Sequence, residues 1–318
     1  MRRRSTLLAG AVGAAAVAVG LAARHRRQEV LDQTEGQPLV LPPGDVFVLP
    51  THDGGQLAVR DMGDGQRTFV LSHGWTNDAR MWGAVARRLV ERGHRVVVYD
   101  QRGHAGSTAG TDGLTMSAFA EDLATVVQHL GVTDVVVVGH SMGGMSAQAL
   151  LVERPDVVKA HVGAVVLVAT ACSQVGGRFL LDGVATTVLA SPVFDRALAT
   201  RRVGPRMLRG TVGRSVVAAH LEAMRETLAA TSAETRTGCL VAMRAMDFEE
   251  ALAHVELPVH VVVGSRDLLT PRSQSRRLAE IIPGAELHVI DGAGHMLSLE
   301  APDELTDQLE RAAARIPA

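Results

Sequence analysis

Between an apolar run at Val135–Val138 and a helical stretch that opens at Met142 stands Gly139-His140-Ser141-Met142-Gly143. A strand that feeds so tight a turn into a helix forces the serine into a strained conformation and exposes its hydroxyl at the sheet edge. Met142 lies in the first turn of that helix. Its backbone N–H has no intrahelical acceptor there, and the helix dipole favours an anion. The chemistry such a turn can perform is attack of a serine oxygen on a carbonyl, with a donor waiting for the oxyanion.

A serine hydroxyl needs a base to take its proton, and the base needs an acid to orient it. Of the thirteen histidines, His129 and His220 fall in helical stretches and His260 and His288 in strand patterns. His295 stands apart in Asp291-Gly292-Ala293-Gly294-His295-Met296, a Gly-rich loop after the last strand and so at the edge expected for Ser141. For the acid, Gly264-Ser265-Arg266-Asp267 follows the apolar strand Val259–Val263, again at a carboxyl end. Asp291 is the rival. It precedes His295 by four residues on one loop, too close to reach the far imidazole nitrogen comfortably, so Asp267 is the favoured partner.

These residues need a scaffold, and the chain supplies alternating elements. Val46–Leu49 and Leu57–Arg60 read as an antiparallel hairpin around His52-Asp53-Gly54-Gly55, with turn residues where a hairpin needs them. Strands are then expected at Phe69–Leu71, Arg95–Tyr99, Val135–Val138, Ala164–Val168, Val259–Val263 and Leu287–Ile290, and helices at Ala79–Arg92, Thr115–Leu130, Met142–Glu153, Arg272–Ile282 and Pro302–Arg315. Fully apolar strands separated by helices mean an α/β fold: a doubly wound, mostly parallel sheet covered on both faces. The alternation breaks from about residue 173 to 250, where helical patterns at Val184–Leu189, Ser215–Thr231 and Glu234–Met246 read as a lid over the carboxyl edge of the sheet. The expected organisation is a leader and tether over 1–43, a core over 44–172 and 251–318, and a helical lid over 173–250. The lid carries apolar residues such as Leu181, Val188, Phe194, Leu198, Met224 and Leu228, suited to an acyl chain or to packing the lid onto the core.

The order Ser, Asp, His along the chain, with the G-x-S-x-G turn between strand and helix, resembles the α/β-hydrolase fold superfamily over nearly all of residues 45 to 315. Ser72-His73-Gly74-Trp75 is similar to its His-Gly-x oxyanion loop, and Asp100-Gln101-Arg102-Gly103-His104-Ala105-Gly106-Ser107 to its D-x-R-G-H-G-x-S loop, with Ala105 in place of a glycine. The resemblance implies an oxyanion hole made by the backbone N–H groups of Trp75 and Met142. It also narrows the reaction. Dehalogenases and epoxide hydrolases of this fold use an aspartate nucleophile, and the latter also use lid tyrosines, whereas the one tyrosine here is Tyr99, outside the lid. Acyl transfer through Ser141, His295 and Asp267 is expected, with no metal or organic cofactor. The leading expectation is a carboxylic ester hydrolase, acting on lipid or monoacylglycerol esters. The alternatives are a cofactor-free haloperoxidase or perhydrolase-like enzyme, a C–C bond hydrolase, and a non-catalytic binding module on the same fold.

Composition excludes other classes. The chain has 318 residues and a formal net charge of −2, but Met1–Arg27 holds six arginines and no acid, which leaves 26 basic against 34 acidic residues in the remainder. A mildly acidic body lacks the face that phosphate backbones require, so nucleic acid is not an expected partner. Cys172 and Cys239 are the only cysteines; they encode neither a zinc site nor a disulfide framework, and at most one bridge. Ser5–Ala23 carries no charge and is flanked by Arg2-Arg3-Arg4 and Arg24-His25-Arg26-Arg27. This pattern raises the expectation of a signal anchor or a twin-arginine-like export signal, hence membrane association and a cell-envelope location.

Overall fold

The computed structural model describes residues 36–173, 184–200, 203–214 and 217–316. Eight strands form one sheet: β1 (Asp45–Pro50), β2 (Gln56–Met62), β3 (Thr68–Ser72), β4 (Arg95–Tyr99), β5 (Val135–His140), β6 (Val162–Val168), β7 (Val259–Gly264) and β8 (Glu286–Ile290). Their order across the sheet is β1-β2-β4-β3-β5-β6-β7-β8. β1 and β2 pair antiparallel, as the leading hairpin requires, and β2 meets β4 antiparallel. From β4 to β8 every pairing is parallel.

The alternation of side chains along each strand builds two cores at once. Val97, Tyr99, Val135, Val137, Val165 and Leu167 pack on one face with the helices Met116–His129 and Met142–Glu153. Val96, Val98, Val136, Val138, Val166 and Val168 pack on the other with Gly83–Glu91 and Pro302–Ala314. The central strands are fully buried, which explains why they read as unbroken apolar runs rather than as alternating ones.

The expected boundaries shift where local chemistry intervenes. The helix expected over Ala79–Arg92 begins as a 3₁₀ turn, Ala79–Trp82, capped by the Asp78 side chain, and becomes α-helical at Gly83. Pro155 ends one helix but opens another, Pro155–His161, at the first-turn position where its missing N–H goes unneeded. Between β6 and β7 the described residues are helical, at Val184–Leu189, Pro192–Ala199, Gly204–Leu208, Ala218–Ala230, Ala233–Ala245 and Glu249–Leu252. Leu198, Met224 and Leu228 are buried there as packing residues, and Leu181 lies outside the described residues.

Arg236 organises this insertion. Its buried guanidinium donates to the carbonyls of Leu189 and Thr231 and to Asp195, and lies 5.2 Å from the Phe194 ring centroid. One cation thereby ties four segments together.

The envelope location expected from Ser5–Ala23 is corrected here. Among the described residues no helix is long and apolar enough to cross a membrane, and the segment itself lies outside them. Eleven of its nineteen residues are Ala or Gly, which bring little apolar area to a bilayer, so absence of charge alone overstated its case.

Candidate active site

The chain leaves β3 to one side for β4 and returns to its other side for β5, so a crevice opens at the carboxyl ends of β3 and β5. Ser141 sits there, one residue past β5, with φ 53° and ψ −115°. This left-handed backbone strains a residue with a side chain. It is held by the Ser141 N–H donating to the Val168 carbonyl at 2.9 Å and by the Thr170 hydroxyl donating to the Ser141 carbonyl at 2.7 Å. Gly139 makes the turn feasible, since a Cβ there would lie 2.3 Å from the Gly143 carbonyl oxygen. Met142 opens the helix that follows, so its N–H is the first without an intrahelical acceptor.

Asp267 follows β7 and His295 follows β8. His295 Nδ1 and Asp267 Oδ2 are 2.8 Å apart, both side chains buried. Burial raises the Asp267 carboxyl, but the facing His295 charge and hydrogen bonds from His295 and Thr270 hold it below its ordinary value. Asp291, the rival, turns to solvent: it accepts from the Ser265 hydroxyl at 3.0 Å and faces Arg214 at 3.7 Å. The two loops meet through the residue before Ser141, as His140 Nε2–H donates to the His295 carbonyl at 2.9 Å and the two rings lie 4.9 Å apart.

The loop bearing Trp75 is fixed from below. Asn77 N–H closes a turn on the Gly74 carbonyl, and Thr76 takes φ 59°. Two buried histidines support this loop. Gln101 N–H donates to His73 Nε2 at 2.9 Å and Thr76 N–H to His104 Nε2 at 3.3 Å. Their Nδ1 atoms therefore carry the hydrogens and donate to the carbonyls of Gly74 and Arg102. The Trp75 indole donates to the Arg236 carbonyl at 3.0 Å, joining this loop to the helical insertion. Arg102, the arginine of the same motif, serves the scaffold: buried, it forks onto Asp122 with two bonds of 2.7 Å and reaches Asp53 at 3.0 Å.

Two supporting residues escaped the sequence reading. Thr270 donates to Asp267 Oδ2 at 2.8 Å, the oxygen that also faces His295, while Leu269 and Thr270 N–H groups bind Oδ1. The spacing Asp267-Leu268-Leu269-Thr270 was a readable Asx-type turn. Gln101 bridges the His73 carbonyl and the Ser146 hydroxyl, and no local pattern marks it.

The chain matches the α/β hydrolase fold over residues 67–302. It belongs to that family. It is 30% identical to the non-heme chloroperoxidase CPO-A1 of Kitasatospora aureofaciens, over 81% of this chain and 94% of that one. It is 29% identical to the bifunctional esterase/perhydrolase DCH of Acinetobacter calcoaceticus, over 77% and 91%. Among solved structures, the bromoperoxidase of Bacillus anthracis superposes with a TM-score of 0.74 at 23% identity, covering 85% of this chain and all of that one, a likeness of fold. These relatives support hydrolase chemistry for this member of the family.

Burial also fixes protonation. It pushes the His73 imidazole down to about 4, and those of His104 and His140 down to about 3. A depressed folded-state value means that each imidazole contributes stability in full above the ordinary histidine range, near 6.5. That stability is lost as pH falls from there toward 3 to 4, because the unfolded chain binds the proton first. Ring-proton NMR should show these three histidines neutral from pH 8 down to pH 5. Titration of any one of them above pH 6 contradicts this.

Proposed function

We propose that this chain is a serine hydrolase that cleaves carboxylic esters, lipid or monoacylglycerol esters among them, through an acyl-enzyme. The observation that carries the reading is the strained Ser141 turn at the sheet edge where His295 and Asp267 are paired at 2.8 Å. His295 takes the Ser141 proton as Oγ attacks the ester carbonyl. Asp267 holds the hydrogen on Nδ1, so that Nε2 is the basic nitrogen, and stabilises the imidazolium. The N–H groups of Trp75 and Met142 receive the oxyanion. The imidazolium then protonates the leaving alcohol, and water, deprotonated by the same nitrogen, releases the acid.

The helical insertion is the lid of this reading. Its ties to the nucleophile side run through Trp75 to Arg236, and through the Thr235 hydroxyl to the Gly103 carbonyl at 2.9 Å. An apolar rim supports acyl substrates: Leu268 and Leu269, beside Asp267, are 64% and 52% exposed. A second reading is supported by relatives named chloroperoxidase and esterase/perhydrolase. In it, hydrogen peroxide replaces water on the same acyl-enzyme and the product is a peracid.

The test is turnover of p-nitrophenyl esters with acyl chains of two to sixteen carbons. Each CH₂ that enters an apolar pocket should raise kcat/KM up to about fourfold, the equivalent of about 0.8 kcal/mol, until the pocket is full. A flat profile rules against lipid esters. Peracid formed from acetate and hydrogen peroxide faster than any ester is hydrolysed favours the second reading.

A further inference from the structure

We propose that Glu300 is a positioning residue that locks the His295 loop to the helical insertion. This rests on the reading of His295 as the base. Glu300 Oε2 accepts the N–H of Gly213 at 2.6 Å and of Gly294 at 2.9 Å, and Oε1 accepts the N–H of Met296 at 3.0 Å. The carboxylate thus holds the peptide groups on both sides of His295 together with one from the insertion. The remaining links run the same way. His295 N–H donates to the Thr211 carbonyl at 2.8 Å, and Arg214 N–H to the Gly292 carbonyl at 2.9 Å.

The two segments touch backbone to backbone. A Cβ on Gly213 would lie 2.1 Å from the Gly292 oxygen and 2.6 Å from the Gly294 nitrogen. Behind them Val212, Leu221 and Met224 of the insertion pack on Met296 and Leu299. Insertion and base loop are therefore joined backbone to backbone, and the carboxylate is the joint.

The three donors are met by two accepting oxygens. An amide keeps one acceptor and turns an NH₂ toward a backbone N–H, so glutamine cannot reproduce the joint. Burial pushes the Glu300 carboxyl up to about 7, against the pull of those N–H groups and of His295.

Glu300→Gln in the full chain is expected to lower kcat/KM for p-nitrophenyl acetate by about 10²-fold, as a slightly misplaced base does, with the loss in kcat rather than KM. The downfield proton resonance of His295 Nδ1–H, assigned by its absence in His295→Ala, should weaken or shift. Gly213→Ala, which forces the insertion off the loop, should lower kcat in the same sense and decides the matter if the glutamine variant does not fold. A Glu300→Gln enzyme with unchanged kcat and an unmoved resonance overturns the proposal, whatever its melting temperature. If instead His295→Ala retains wild-type turnover, the assignment of the base is what fails.

Discussion

Replacing Ser141 by alanine is expected to lower kcat on p-nitrophenyl esters by about 10⁴- to 10⁶-fold while leaving the fold intact. Among the described residues no other at this sheet edge combines a hydroxyl, a left-handed backbone and a helix N-terminus. The proposed oxyanion donors remain in the variant and would account for the residual rate. The side chain occupies little volume, and Ser141 is held by its backbone N–H and carbonyl, which alanine retains. Circular dichroism and melting temperature should therefore match the parent. A fluorophosphonate that still labels Ser141→Ala would refute the assignment.

Asp267→Asn is expected to cost about 10⁴-fold in kcat. The amide can present its NH₂ to His295 Nδ1, which then becomes the acceptor, and the hydrogen moves to Nε2, where the serine proton must go. The loss is one of tautomer more than of place, since Leu269 and Thr270 N–H groups still find the side-chain oxygen. Asp291→Asn is the control. It should fall within a few-fold of the parent, because Asp291 is exposed and turned to Ser265 and Arg214; a larger loss there than at Asp267 would name the other acid.

The parallel sheet was legible because burial on both faces leaves runs such as Val135–Val138 without polar interruption, and the turn at Ser141 was legible because only small residues fit it. The pairing of His295 with Asp267 rather than Asp291 could be argued from strand ends and from the place of Asp291 only four residues before His295 on one loop. The short helices Pro192–Ala199, Gly204–Leu208 and Leu297–Glu300 were not foreseen, since a few residues carry too little periodicity and their stability comes from tertiary contacts. The joint at Glu300 was invisible for a different reason: its partners are backbone N–H groups of Gly213, Gly294 and Met296, and peptide groups leave no trace in residue types. The N-terminal segment misled through its absence of charge, since its many Ala and Gly residues bring little apolar area to a bilayer.

The two strands that deliver Asp267 and His295 are the last of the sheet to be synthesised. As the chain emerges from the ribosome, β1 to β6 and the turn at Ser141 are made before β7 and β8, while a domain folds as a unit. Until the final strands dock beside β6, the proposed nucleophile is an ordinary alcohol with no base in reach. Reactivity is therefore the last property this polypeptide acquires. A half-made or C-terminally shortened copy would hold the proposed nucleophile without its proposed base.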